Sequence, residues 1–534
     1  MKRSIAFILA LAMMICVFAM TGCGDTEQPA TTTTKSQTPV QTTTGGDQDK
    51  PTQTTAGDEP TQTTTEATES TETTTETPLI PVDPMESWEG LTKLPGFENV
   101  DFRGEEFVIC ARTTDDVSFP SDIEIYSEEP DAISTAIRER NALIESLYNC
   151  TIRLEPSEDP PSLVNAEVTS GKQTIDMYTV HYAGERMATS GNNYNLLSLG
   201  IDFSNEWWDQ NYAKSYTIKS ASGTPALYGM VGDFALTAYT ATHALFFNKN
   251  VYETQIEQAL GYDIYQLVRD GDWTMDVFVE MIKKAGTDNN GNSAYSYSEG
   301  DILGWARTTH ATHGLHAATG LQLITNENQT LSFNALNNVN AWSVNIDKAI
   351  EVWNVEQAET LGYTDVRNAL TAGNTLFASE VLDVLRRMKD ADVSCGLVPY
   401  PKYSKAQENY AHYVDNHLTA YCVPTSVVEI ETMGQFIELF AAHSRKIVRS
   451  AWIDTYAYEY CGDADSAEML DIVLNTRTYD PGYIYWATIE GEVSQMINSG
   501  KNNFTKWVDK RAASITGAGG MIETYISKLA ENEI

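Results

Sequence analysis

EFVIC, residues 106–110, is a candidate strand, and the two segments that follow it indicate the kind of fold it belongs to. DAISTAIRERNALIESLYN, residues 131–149, places its apolar side chains at the spacing of one helix face. TIRL, residues 151–154, then alternates apolar and polar side chains as a strand does. A strand, a helix and a second strand in this order predict a βαβ unit, and with it a parallel sheet and an α/β fold class.

Later segments extend this pattern into two lobes. Further strands are predicted at residues 175–180, 244–248, 396–400 and 419–423. Amphipathic helices are predicted between and after them, including 275–285 with Thr274 as its cap and 467–474 with Ser466 as its cap. A long helical region between α/β pieces predicts a two-lobed fold with strands crossing between the lobes and a helix-rich second lobe.

The N-terminus has the form of a secretory signal. Lys2 and Arg3 precede 16 apolar residues, 5–20, which is short of the roughly 20 that a membrane span needs. Thr21 and Gly22 then lead to Cys23, and this ending resembles a bacterial lipobox. The resemblance implies that residues 1–22 are a signal peptide and that Cys23 carries the lipid. The alternative is an uncleaved anchor with an incidental cysteine.

Residues 23–84 form a threonine-rich, low-complexity stretch with very few apolar side chains. Such a stretch cannot offset the entropy of ordering, so we predict a disordered stalk between the lipid and the folded part. Residues 85–534 then form the folded, two-lobed domain.

The charge of the chain excludes some functions. Lys and Arg number 35 against 74 Asp and Glu, a formal net charge of −39. Nucleic-acid binding requires clustered cations, so no nucleic-acid partner is expected. The same acidity disfavours anionic ligands.

The seven cysteines do not form a disulfide framework, because those outside the signal and the lipid site are five and sparse. Cys110 ends the first strand and Cys150 precedes the second, so they are expected at opposite ends of a parallel sheet. We predict that most of these side chains are small buried hydrophobes.

Six segments along the domain carry a family resemblance. They are IDFSNEWWD (201–209), GDF (232–234), LFFNK (245–249), DWT (272–274), GLVPYPK (396–402) and YDPGY (479–483). Together they resemble bacterial extracellular solute-binding lipoproteins of ABC importers, of the large sugar-type family 1. The resemblance implies two hinged lobes closing on a ligand, permease subunits with a separate ATPase as partners, no cofactor, and a location at the extracellular face of the membrane.

Sugars are bound by aromatic rings that stack on C–H patches and by polar groups at the ends of strands. These rules select seven candidate ligand-binding residues: Tyr182, Trp208, Asp233, Tyr239, Trp305, His310 and Trp486. Core packing or a solvated loop is the alternative for each of them. Trp273, Trp342 and Trp353 lie on helix starts or apolar helix faces and are predicted to belong to the core.

Two motifs with metal-ligand residue types are also present. His310, His313 and His316 follow an H-x-x-H-x-x-H spacing, of which at most two could face one metal from a helix. Residues 288–299 place Asp, Asn and Glu as an EF-hand loop does, but Ser293 replaces the required glycine. Loop or ligand-rim histidines and a plain Asx-rich turn are the expected interpretations, so no metal is predicted.

The expected function is capture of a carbohydrate, such as an oligosaccharide, for delivery to a permease without bond chemistry. A cell-surface glycan-acting enzyme or an adhesion module is one alternative. A sensor subunit, or a receptor for a solute other than a sugar, is another.

Overall fold

Two separate β-sheets organise this computed structural model, which describes residues 85, 87–112, 123, 131–181 and 184–533. All of these belong to one unit, Ile80–Ile534. The predicted signal peptide, Cys23, the stalk and Tyr182 lie outside the described residues. Within the described part of the chain, no helix combines the length and the apolar character that a membrane crossing requires.

The first sheet has four strands, in the spatial order Thr419–Cys422, Met177–His181, Glu105–Arg112 and Cys150–Ser157. The last three run parallel and the first runs antiparallel to its neighbour. The helix Ala132–Tyr148 connects Glu105–Arg112 to Cys150–Ser157, which confirms the predicted βαβ unit. Asp131 caps this helix by accepting a hydrogen bond from the Ser134 N–H.

The second sheet has five strands, in the spatial order Ala358–Thr360, Leu303–Arg307, Thr375–Val381, His243–Asn248 and Cys395–Val398. The first three are mutually parallel, and His243–Asn248 is antiparallel to both of its neighbours. The strands predicted at residues 244–248 and 396–400 are therefore present in this sheet.

Helices cover both sheets. In chain order, the helices between the strand Cys150–Ser157 and the strand His243–Asn248 are Pro160–Ser170, Gly184–Thr189, Gln210–Tyr216 and Thr237–Thr240. Residues 249–388, which include most of the second sheet, contain the helices Lys249–Tyr252, Gln258–Leu260, Ile264–Arg269, Met275–Ala285, Ala311–Ala318, Asn334–Asn337, Val339–Trp353, Tyr363–Thr371 and Val384–Met388. The last part of the chain adds Ile430–Ser444, Ser450–Ile453, Ala464–Asn475, Pro481–Tyr485, Ala487–Ser499, Phe504–Thr516 and Met521–Glu531.

Shorter elements complete the fold. Wider, π-type turns occupy Glu253–Glu257, Arg445–Arg449 and Asp454–Tyr460, and single 3₁₀ turns occupy Leu196–Ser198 and Tyr297–Glu299. Three small strand pairs join Ile218–Lys219 to Pro225–Ala226, Ile324–Glu327 to Thr330–Phe333, and His412–Tyr413 to Arg477–Thr478.

Both predicted helix caps need correction. Thr274 precedes Met275–Ala285, but its side chain makes no capping hydrogen bond. Ser466 lies inside Ala464–Asn475, which begins earlier because the Asp463 carboxylate accepts from the Ser466 N–H. A carboxylate satisfies a free N–H of the first turn as a serine hydroxyl would.

The chain passes between the sheets in both directions, and this defines two lobes. Residues 227–242 lead from the first sheet to the second, and residues 399–418 lead back. Residues 423–463 then lead to the helix Ala464–Asn475, which packs on the strand Cys395–Val398 of the second sheet. The two-lobed α/β fold class is therefore confirmed, and more helices contact the strands of the second sheet than those of the first.

The predicted core residues lie where they were expected. Trp273, Trp342 and Trp353 are buried. Cys110, Cys150, Cys395, Cys422 and Cys461 are all free and buried, as predicted. The parallel register places Cys110 opposite Glu155 and Cys150 opposite Glu105, so these two cysteines lie at opposite ends of the first sheet.

Candidate functional site

A cavity of about 430 Å³ lies where the parallel strands of the second sheet end, and we call it the main cavity. Glu380 and Val381 line it from the end of Thr375–Val381. His310 lines it three residues after Leu303–Arg307, and Tyr363 three residues after Ala358–Thr360. Parallel strands place their carboxyl ends at one edge of a sheet, which is where α/β proteins bind ligands.

The segments that cross between the lobes form the opposite wall of the main cavity. Thr237 and Thr240 come from the first crossing segment, and Asp415 and His417 from the second. The main cavity is therefore bounded by one lobe and by the connections to the other.

Imidazoles surround a buried carboxylate at this wall. Asp415 is 3.4 Å from Nε2 of His243, and its other oxygen contacts Nδ1 of His417. Burial alone would raise the pKa of Asp415, but hydrogen bonds from His243 and His417 hold it well below the usual range. An ionised Asp415 thus orients two imidazoles at the cavity wall.

The first sheet reaches this cluster through His181, the last residue of Met177–His181. The rings of His181 and His417 lie 5.5 Å apart. Burial, followed by the nearby His417 and Arg112, lowers the pKa of His181 to about 3, so this imidazole is neutral. The strand Met177–His181 of the first sheet therefore ends beside the histidines that contact Asp415 at the main cavity.

Glu380 is the carboxyl group that the second sheet contributes to the wall of the main cavity, and 4% of its surface is exposed. Burial raises its pKa to about 7, although Arg367 acts to lower it. One oxygen accepts from the Val381 N–H at 3.3 Å, and Oε1 has no hydrogen-bond partner among the described residues. Near neutral pH this carboxyl group can therefore act as a donor or as an acceptor.

The rim is formed by two helices that follow strand ends. On Tyr363–Thr371, Tyr363 and Arg367 lie one turn apart and both line the main cavity. The Tyr363 hydroxyl contacts Nδ1 of His310, and its ring is the large exposed aromatic ring at the cavity, 45% accessible. Asp383, before Val384–Met388, pairs with Arg386 at 2.9 Å and with Arg387 at 2.7 Å.

Of the six predicted ligand residues that the structure describes, only His310 lines the main cavity. Trp208, Asp233 and Tyr239 line a second cavity of about 340 Å³. The helix Thr237–Thr240 separates the two cavities, because Thr237 and Thr240 line the first while Tyr239 lines the second.

The second cavity is held together by ion pairs. Asp233 is 3.1 Å from Arg445 and accepts from the Tyr239 hydroxyl, and Arg477 is 2.9 Å from Asp209. Burial raises the pKa of Asp233, although Arg445 and Tyr239 act to lower it. The ion pair of Asp233 and Arg445 therefore joins the crossing segment 227–242 to the segment 423–463.

The three tryptophans among the predicted ligand residues are all buried. Trp305 is fully buried inside a strand, and its Nε1 donates to the Ser379 hydroxyl at 2.8 Å. Trp486 packs on Tyr485 and on Tyr525 of the C-terminal helix Met521–Glu531. Trp208 lines the second cavity but is 3% exposed, with its ring against Phe203 and Phe234. All three rings pack against other protein side chains.

The two metal-like motifs are occupied by internal contacts. His313 and His316 lie on Ala311–Ala318, with Nδ1 atoms 2.5 and 3.7 Å from a Glu490 oxygen. In the loop at 288–299, the Asn290 and Asn292 amides both donate to Glu299. No group of three or more His, Cys, Asp or Glu side chains suited to a metal ion occurs among the described residues.

Comparison with known proteins finds likeness to solved structures alone. No protein-family model matches the chain, and neither does any curated protein. An ABC substrate-binding protein from Listeria monocytogenes, in complex with cycloalternan, is 14% identical, with a TM-score of 0.45 over 80% of this chain and 98% of that one. The galacto-N-biose/lacto-N-biose I-binding protein of Bifidobacterium longum, in complex with lacto-N-biose, is 13% identical, with a TM-score of 0.49 over 77% and 98%.

A third structure, of UgpB from Mycobacterium tuberculosis in complex with glycerophosphocholine, is 14% identical, with a TM-score of 0.46 over 80% of this chain and 96% of that one. At these identities the likeness concerns the fold alone. The ligand of this chain has to be inferred from its own cavity.

Proposed function

We propose that this chain is a solute-binding receptor that captures a carbohydrate in the main cavity and delivers it to an ABC permease with a separate ATPase. The observation that carries the proposal is the convergence of polar side chains from strand ends and crossing segments on one cavity. His310, Tyr363 and Glu380 come from one lobe, and Asp415 and His417 from a crossing segment. A clamp of two lobes closes on a ligand at such a place.

The chemistry of the main cavity suits a ligand rich in hydroxyl groups. A hydroxyl both donates and accepts, and the cavity offers imidazoles, carboxyl groups and the hydroxyls of Thr237 and Thr240. Tyr363 adds an exposed ring on which the C–H face of a sugar can stack. Three of the seven candidate ligand residues predicted from the sequence are tryptophans. The proposed site instead uses one tyrosine ring and several imidazoles.

Calorimetry of the purified protein against mono- and oligosaccharides tests the proposal. Saturable binding should occur while chromatography of the same mixture shows unchanged sugar. Release of product would favour the glycan-acting enzyme, and binding of polar solutes without any sugar would favour a receptor for another class.

Tyr363→Ala should weaken saccharide binding by about 1–3 kcal/mol while leaving the melting temperature nearly unchanged. The ring is half-exposed at the cavity, so its loss removes a stacking surface and little core packing. Titration calorimetry and a thermal melt measure the two effects on one sample.

Trp208→Ala and Trp486→Ala are the matched controls for this experiment. Both rings are buried, so both variants should melt earlier and keep the affinity of the parent protein. If instead a tryptophan variant lost affinity and Tyr363→Ala did not, the ligand would lie outside the main cavity.

We further propose that Cys23 carries the lipid that holds the receptor at the extracellular face of the membrane, on the stalk of residues 23–84. Cys23→Ser should release the protein from the membrane fraction, because the thiol is the acceptor of the lipid. Fractionation of cells expressing either form measures this. A Cys23→Ser protein that stayed with membranes would contradict the lipid-anchor proposal and leave the ligand proposal intact.

A further inference from the structure

The charge around the main cavity differs from that of the chain as a whole, whose net charge is −39. Arg367 and Arg387 line the main cavity, as do the carboxyl groups Glu380, Asp383 and Asp415. The balance depends on which of these charges are already paired inside the protein.

The cavity carboxylates have partners. Asp383 lies between Arg386 and Arg387, and Asp415 contacts two histidines. Glu380 is the exception, and burial raises its pKa to about 7, so it carries only part of a charge at neutral pH.

Arg367 is the cavity cation without such a partner. Among the described residues no carboxylate oxygen lies within ion-pair distance of its guanidinium. Its one hydrogen bond is a long one, 3.3 Å, from Nη2 to the hydroxyl of Thr364 on its own helix. A guanidinium presents a planar fork of donors that matches a carboxylate, and no carboxylate of the described residues pairs with this one.

Tyr363 lies one turn before Arg367 on the helix Tyr363–Thr371. Residues four apart share a helix face, so an exposed ring and a guanidinium without a carboxylate partner lie side by side at the cavity. A pyranose that stacks on the ring would bring a substituent at its edge to the fork.

We infer that the solute bears a carboxylate, as a uronic-acid saccharide does, and that Arg367 is the residue that binds this group. The inference rests on the proposed function, because it requires the ligand to occupy the main cavity. From the sequence, the net negative charge of the chain is expected to disfavour anionic ligands. This inference is the opposite, because a bound ligand interacts mainly with the charges of the cavity wall.

The experiment compares uronic acids with their own methyl esters, which keep the sugar ring but replace the charged carboxylate by a neutral ester that carries one methyl group more. Glucuronate, galacturonate and mannuronate oligosaccharides, their methyl esters, neutral disaccharides and glucose 6-phosphate are titrated into the full-length protein in detergent. At least one uronate should bind about 10- to 100-fold more tightly than its ester, as a charge-assisted hydrogen bond predicts.

Three variants separate the contributions. Arg367→Gln should abolish the preference for acid over ester while leaving the affinity for the ester nearly unchanged. Tyr363→Ala should weaken acid and ester alike. Arg153→Gln, which removes an exposed arginine on the first sheet, should leave both affinities unchanged.

Each outcome bears on one proposal or on both. Neutral sugars or esters that bind as well as the acids would overturn the inference and leave the proposed function standing. Tighter binding of glucose 6-phosphate than of every uronate would also overturn it, in favour of a phosphate. If no saccharide of the panel bound, both proposals would be contradicted.

Discussion

Replacing Trp305 by alanine should lower the free energy of unfolding by about 3–5 kcal/mol, the usual cost of removing a fully buried large aromatic side chain. The indole has no exposed surface and stands edge-on to Phe278 and Trp353, with ring centres 5.3 and 5.9 Å away. The Arg307 guanidinium lies 4.6 Å from the centre of the indole ring and 3.9 Å from that of Trp353. Removing the indole leaves a void and exposes one face of a buried cation.

Denaturant titration of Trp305→Ala and of the parent protein measures this loss. Trp305→Phe is the intermediate control, since it keeps most of the volume and loses the hydrogen bond to Ser379, so it should cost about 1–3 kcal/mol. Below the unfolding transition, both variants should bind the ligand as the parent does. A Trp305→Ala protein of unchanged stability and lost affinity would show that the ring faces the ligand.

The first sheet could be predicted from sequence because its signals are local. The helix at residues 131–149 shows its apolar face in the sequence, the strand before it is an apolar run, and the strand after it alternates apolar and polar side chains. Its cap, Asp131, stands directly before the helix. What local signals do not contain is sheet order, because the pairing of Thr419–Cys422 with Met177–His181 joins segments far apart in the chain.

The candidate site was harder to predict because its residues are brought together by tertiary structure. Asp415, His243 and His181 are distant in sequence, and each is an ordinary polar residue there. One signal was available: His181, Glu380 and His310 all lie at or just after strand ends, where ligands bind. The burial of Trp486 has no such local signal, since the helix Met521–Glu531 that covers it comes much later in the chain.

Acidification should destabilise the protein through His412, a fully buried imidazole. Its Nε2 accepts the Tyr400 N–H at 3.1 Å, so Nδ1 carries the proton and faces the Thr476 hydroxyl at 2.8 Å. A second proton would have to bind Nε2. It would remove the acceptor of this hydrogen bond and point a new N–H at the Tyr400 N–H, which is also a donor. Burial lowers the pKa of His412 to about 3, from an ordinary value near 6.5.

The sign follows from which state binds the proton. Well above pH 6.5 the imidazole is neutral in both the folded and the unfolded state, so it does not change the free energy of unfolding. Below that pH the unfolded chain takes up a proton that the folded protein refuses, so the free energy of unfolding falls until about pH 3. Between pH 7.5 and 4.5 this amounts to roughly 2–3 kcal/mol.

Other buried groups act in the opposite direction over the same range. Burial raises the pKa of Glu380 and Glu438 to about 7 and that of Asp480 to about 6. These carboxyl groups bind protons more readily in the folded state, so they stabilise it as the pH falls from 7 towards 4.5. The pH profile of the whole protein is therefore a sum of opposing contributions, and a matched variant is needed to isolate one of them.

His412→Gln isolates it, because the amide retains an acceptor for the Tyr400 N–H and a donor for Thr476 but has no titrating proton. Denaturant titrations at pH 7.5 and 4.5 should show that the parent protein loses roughly 2–3 kcal/mol more than the variant between these two pH values. Lys405→Gln, an exposed substitution, should lose as much as the parent. Equal losses for the parent and His412→Gln would mean that the folded protein accepts a proton at His412, and the buried hydrogen bond from Tyr400 would then have to break without cost.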